Sequence, residues 1–129
     1  MRQISETFKA LSDEVPIEIM ALLFRHGELC VCDVEAILAA PESEATHHLR
    51  ALCGAGLLEE RGEGCWSHYR VADRPSPELQ IVLDALHALV TDARIADIDA
   101  RYARWMAEKQ SAGLVIPGAC CQPARVRIA

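Results

Sequence analysis

The order of patterns between residues 16 and 71 constrains this chain more than any other feature. Pro16 fits the first turn of a helix with a broad apolar face of Ile17, Ile19, Met20, Leu22, Leu23 and Phe24, ended by His26-Gly27. A shorter helix is predicted from about Val31 to Ala39, with Val34, Ile37 and Leu38 inward, and Ala40-Pro41-Glu42 breaks it. Ser43 is placed to cap a further helix from about Glu44 to Cys53, striped by Ala45, Leu49 and Leu52. Gly54-Ala55-Gly56 stops that helix, and Leu57 to Arg61 and Trp66 to Val71 read as strands around a Gly62-Glu63-Gly64 turn. Two short helices across a tight turn read as helix-turn-helix, a pattern many small helical domains share. The hairpin that follows directly makes the order that of a winged helix.

The flanks extend this reading. Residues 5–11 read as a short helix with Phe8 and Leu11 inward, and Ser12-Asp13-Glu14 as a polar break and cap. After Pro75-Ser76-Pro77, apolar positions from Leu79 through Leu83, Leu86, Val90, Ile98 and Tyr102 to Met106 form one long helical pattern. A helix that long exceeds what one small core can cover, so it is expected to pair with the first helix and with a second copy of the chain. The expected fold class is mainly α with a β-hairpin wing: a winged helix-turn-helix dimerising through its terminal helices. Residues 1–110 are expected to form the DNA-binding and dimerisation domain. Residues 111–129, broken by Gly113, Pro117, Gly118 and Pro123, are expected to be a flexible tail carrying Cys120 and Cys121.

Charge and cysteine usage narrow the function. A formal charge of −6 argues against a general nucleic-acid coat, so DNA reading would need a locally basic surface. Charged residues are spread through positions 1–25 and no long uncharged apolar stretch occurs, so neither a targeting core nor a spanning helix is expected, and a cytoplasmic protein without membrane contact is. There, cysteines serve more often as ligands or inert core than as disulfides. No Cys-x-x-Cys motif, glycine-rich phosphate loop or nucleophile triad occurs, so an enzyme is not expected.

Cys30 and Cys32 stand at the head of the first short helix in Glu28-Leu29-Cys30-Val31-Cys32-Asp33. Soft ions favour thiolates over oxygen ligands. Positions i and i+2 do not share a helix face, so joint ligation needs Cys30 at or before the helix start, or local unwinding. Ion capture could then distort this helix and tilt the recognition helix packed on it. A helix N-terminus also favours the thiolate. Further sulfur is available from Cys120 and Cys121, in the same chain or a partner. Cys53 reads as a small buried residue, Cys65 as a wing-tip residue, and Glu35 as an oxygen ligand suited to zinc or cadmium rather than arsenic. Asp84 and His87, three residues apart, read as a surface ion pair, and His26 as a structural helix end.

The chain resembles the ArsR/SmtB family of metal-responsive repressors over about residues 5–90. The resemblance rests on Phe8-Lys9-Ala10-Leu11-Ser12-Asp13, on the Glu28–Asp33 run, on His48-Leu49-Arg50-Ala51-Leu52 with Ala55-Gly56-Leu57-Leu58, and on Gly64 to Arg70. Cys-Val-Cys in this setting resembles the family's arsenic(III) and antimony(III) sensors, whose third cysteine position is Glu35 here. The resemblance implies a homodimeric repressor that binds operator DNA in the apo state and releases it when trivalent arsenic or antimony binds Cys30, Cys32, Cys120 and Cys121 or a subset of them. Ser43, Thr46, His47, His48 and Arg50 would then face DNA from the recognition helix, and Arg61, His68 and Arg70 from the wing. The operator would be an imperfect palindrome with half-sites about one turn apart. Two alternatives stay open. One is the same fold sensing cadmium, lead, zinc or thiol oxidation. The other is a winged-helix protein without DNA binding that sequesters soft ions or binds a protein.

Overall fold

The structure, a computed structural model, describes residues 1–62, 67–90 and 92–111. Six helices and three strands follow in the order α1 (Arg2–Ala10), α2 (Glu14–His26), β1 (Leu29–Cys30), α3 (Val31–Leu38), α4 (Glu42–Gly54), β2 (Leu58–Arg61), β3 (His68–Val71), α5 (Pro77–Leu89) and α6 (Asp92–Ser111). The antiparallel sheet has the strand order β1-β3-β2.

Local chemistry sets most boundaries. Asp13 caps α2 by accepting from the Glu14 amide at 2.7 Å, and Gly27 ends it at φ +79°, a backbone state glycine adopts without steric cost. Ser76 accepts from the Leu79 amide at 3.4 Å and Pro77 opens α5. Gly56 is required twice over: φ is +85°, and a Cβ there would meet Leu79 Cδ1 at 2.8 Å.

Helix α2 runs through the middle of the domain and packs against α3, α4, α5 and α6. Its Ile19, Met20, Leu22 and Leu23 meet Val34, Ile37, Leu49, Leu52, Leu57, Leu79, Leu83, Leu86 and Ile98 in one core. Each such aliphatic side chain contributes about 1.5–3 kcal/mol on full burial, so α2 is the element the others are organised around.

Three expectations need correction, and one element lies beyond them. In α1 the inward residues are Thr7 and Ala10, while Phe8 is 62% exposed. Thr7 tolerates burial because its hydroxyl donates to the Gln3 carbonyl at 2.8 Å. Helix α4 starts two residues early: Pro41, with extended backbone, is its N-cap and Ser43 lies inside the first turn. Glu42 and Glu44 then sit at the positive end of the helix dipole. The long C-terminal pattern is two helices, because Val90 adopts ψ 121° after α5 and α6 restarts at Asp92. Finally, the cysteine run contributes a short strand, β1, which its two residues alone gave no periodicity to reveal.

Candidate sensor site and DNA-facing surface

Cys30 closes β1 and is also the N-cap of α3, with φ −91° and ψ 171°. The extended backbone at Cys30 meets the condition that the i, i+2 spacing imposed: one cysteine stands before the helix and the other in its first turn. Cys30 is fully buried and Cys32 half-buried. Both are disulfide-bonded in the structure, whereas Cys53 is a free thiol. Soft-ion capture by Cys30 and Cys32 therefore requires prior reduction.

Asp33 organises this corner. Its Oδ2 accepts from the Cys30 amide at 3.3 Å and lies 3.5 Å from Cys30 Sγ. Its Oδ1 accepts from Trp105 Nε1 at 2.7 Å and from Lys109 Nζ at 2.9 Å. The ion pair is largely removed from solvent, with side-chain exposures of 7% for Asp33 and 13% for Lys109. The start of α3 is thereby tied to the last turn of α6. Nothing in the sequence signalled this, since an acidic residue in a first helical turn is ordinary and its partners are more than seventy residues away.

Glu35 stands one turn beyond Cys32. Its Oε2 is buried without a hydrogen-bond partner, and burial, helped by Glu42, raises its pKa. Among the described residues no three His, Cys, Asp or Glu side chains converge as a metal site. Cys65, Cys120 and Cys121 lie outside the described residues. Cys53 fits its expected packing role: half-buried against the core, with its thiol pushed up to about 11 by burial first and Glu60 second.

On α4, Ser43, His47 and Arg50 are exposed and Thr46 is half-exposed, so these four share the outer face. His48 turns inward with its side chain 14% exposed, 3.9 Å from Glu44. The wing is different. Arg61 is held by Glu28, through Nε at 3.1 Å and through a second, closer contact from its Nη2. Arg70 is held by Glu59 at 3.1 Å. His68 pairs with Cys30 on one side and Arg61 on the other, so Cys30, His68 and Arg61 form one rung across the sheet. The family resemblance pointed to the wing's basic residues but not to their carboxylate partners.

The remaining histidines are structural. His26 Nε2 lies 2.7 Å from Asp99 Oδ1 and its ring stacks on Tyr102. His87 stacks on Phe24 at 3.7 Å rather than pairing with Asp84, which accepts instead from Gln80 at 2.8 Å. The described helices include none long and apolar enough to cross a membrane.

Residues 13–60 match the family model described as bacterial regulatory protein, arsR family. The chain is 37% identical over 73 residues to an arsenical resistance operon repressor of Bacillus subtilis, covering 57% of this chain and 70% of that protein. It is 40% identical over 76 residues to a cadmium resistance transcriptional regulatory protein CadC homolog of Staphylococcus aureus, covering 59% of this chain and 63% of that protein. Reduced HlyU from Vibrio cholerae superposes with a TM-score of 0.56 at 25% identity, over 70% of this chain and 92% of that one.

Proposed function

The chain belongs to the arsR family of bacterial regulatory proteins, with a winged-helix fold and a regulatory rather than enzymatic role, and we propose that it is a homodimeric transcriptional repressor. In this reading it binds operator DNA in the apo state and is released when arsenic(III) or antimony(III) binds reduced Cys30 and Cys32. The observation that carries the reading is the position of Cys30. It lies at once in the wing sheet and at the cap of the helix before the recognition helix, so a ligand there would act on the wing directly and on α4 through α3, which packs against it.

Three thiols displace the three hydroxyls of arsenous acid, forming three As–S bonds and releasing three waters. Cys30 and Cys32 supply two sulfurs, and Cys120 or Cys121 supplies the third. The tail leaves α6 close to the site, because Lys109 is held on Asp33 at 2.9 Å. The eleven residues from Lys109 to Cys120 span up to about 36 Å when extended, enough to reach the site in its own subunit.

On the DNA side, Ser43, Thr46, His47 and Arg50 enter the major groove, His48 supports them from within, and the wing that carries Arg61, His68 and Arg70 lies along the phosphates or the minor groove. Dimerisation runs through the terminal helices, where Ile4 and Phe8 of α1 and Ile81 and Leu89 of α5 are exposed apolar residues. A dimer places the two recognition helices on half-sites about 34 Å apart.

The test is binding of the reduced protein to DNA from its own promoter region, with and without arsenite, at several salt concentrations. The expected result is salt-sensitive apo binding that arsenite abolishes, with the response lost in Cys30→Ser and Cys32→Ser. No apo binding at low salt would overturn the repressor reading. A second reading, in which oxidation of the thiols is the signal, is favoured by the disulfide-bonded state of Cys30 and Cys32. It predicts release by a mild oxidant and recovery with a dithiol. Cadmium, lead or zinc as inducer draws support from the unpartnered Glu35 oxygen and is separated by the same assay run with each ion.

A further inference from the structure

We propose that Glu28 is an intramolecular stand-in for a DNA phosphate, occupying Arg61 and thereby setting how much charge the wing can offer to DNA. The inference rests on the repressor reading and deepens it by naming a residue that controls the affinity of the wing.

The geometry is specific. Arg61 presents two guanidinium nitrogens, Nε and Nη2, to the two carboxylate oxygens of Glu28, the fork-to-fork arrangement by which arginine also grips phosphate. Glu28 is outside the hairpin that carries Arg61. It stands two residues before Cys30, at the mouth of β1, and is also within electrostatic range of His68 and Arg70. One carboxylate beside Cys30 thus holds Arg61 directly and lies in the field of the wing's other two basic residues.

The other wing arginine provides an internal contrast. Arg70 pairs with Glu59, and these residues are direct cross-strand partners in the hairpin, so that neutralisation travels with the wing. Arg61 is neutralised by a group whose position depends on β1, and therefore on the state of Cys30. The Arg61 side chain is 70% exposed and that of Glu28 25%. A pair so open to water stabilises the fold little, yet it keeps Arg61 from a phosphate for as long as Glu28 stays in place. Cross-linking or ion capture at the thiols fixes β1 and keeps Glu28 on Arg61. The structure, with both cysteines disulfide-bonded, has the pair closed.

The decisive experiment compares wild type, Glu28→Gln, Arg61→Gln and the double variant as full-length reduced proteins, titrated onto the promoter DNA across a fourfold range of salt. One phosphate contact recovered per subunit steepens the salt dependence of Glu28→Gln by up to about two in log K against log salt. The ratio of variant to wild-type affinity then grows roughly tenfold as salt falls fourfold. Arg61→Gln is expected to change the wild-type slope little and to cancel the whole gain in the Glu28→Gln background. Arsenite should release Glu28→Gln less completely than wild type.

Parallel slopes for wild type and Glu28→Gln would overturn the inference while leaving the repressor reading intact. So would an Arg61→Gln loss of equal size in both backgrounds. Failure of wild type itself to bind DNA would overturn both. If Glu28→Gln does not fold, Arg61→Gln alone decides: a full loss of one contact per subunit shows that Arg61 was already engaged with DNA and rejects the stand-in role.

Discussion

The recognition helix and the wing carry similar polar and basic side chains in different electrostatic states. On α4, His47 and Arg50 are exposed, and neither has a carboxylate ion-pair partner among the described residues. On the wing, Arg61 and Arg70 are each covered by a glutamate. Under the proposed function, a helix surface without carboxylate partners would meet DNA without rearrangement. A wing whose cations are already paired would gain only the difference between carboxylate and phosphate. In an acidic protein this division would limit non-specific attraction to DNA and leave sequence reading to α4.

The largest expected effect tests what fastens the start of α3, between these two regions, to α6. Asp33→Ala leaves Lys109 nearly buried without its counter-ion and removes the acceptor for Trp105, a loss on the order of 3–5 kcal/mol. Thermal unfolding should show it as a marked drop in Tm. A near-wild-type Tm would mean that α6 does not depend on this contact.

The direct comparison comes next. Arg50→Ala is expected to weaken operator binding by about 1–3 kcal/mol if its guanidinium reads a base edge. Arg70→Ala, losing an arginine already paired with Glu59, should cost less than about 1 kcal/mol under the same conditions. Equal losses in a titration assay would erase the distinction between a free helix and a neutralised wing.

The smallest effect concerns the contact between α2 and α6 and serves as a control. The Asp99 carboxyl is held below the usual range chiefly by the Arg25 hydrogen bond, with His26 also contributing. A lowered folded pKa means its contribution is present above the ordinary carboxylate range and is lost as pH falls through its own, lower pKa. Asp99→Asn should therefore flatten the acid side of the stability curve slightly and leave DNA affinity at neutral pH unchanged. A change in DNA affinity would show that the α2–α6 contact reaches the DNA face.

The outward face of α4 is legible in the sequence because helical periodicity fixes faces. Once Ala45, Leu49 and Leu52 are inward, Ser43, His47 and Arg50 must point away. The same rule placed His48 less well: its neighbour Leu49 is fully buried, and a residue at the edge of that stripe can turn either way. Phe8 was misjudged for a related reason. An apolar residue on a terminal helix faces the core of its own chain or solvent, and periodicity does not distinguish them.

The sequence by itself determined the succession from α2 through α3 and α4 to the β2–β3 hairpin, the single break between α3 and α4, the outward stripe of α4 and the placement of Cys30 at a helix start. These follow from forces acting over a few residues: caps, breakers and the alternation of apolar positions. Only the tertiary structure decided that the cysteine run joins the wing sheet, that Asp33 fastens it to Trp105 and Lys109, and that Glu28 covers Arg61. Those contacts join groups 33 to 76 residues apart. Local pattern carries no information about which distant partner will arrive, because that is fixed by how the helices pack around α2.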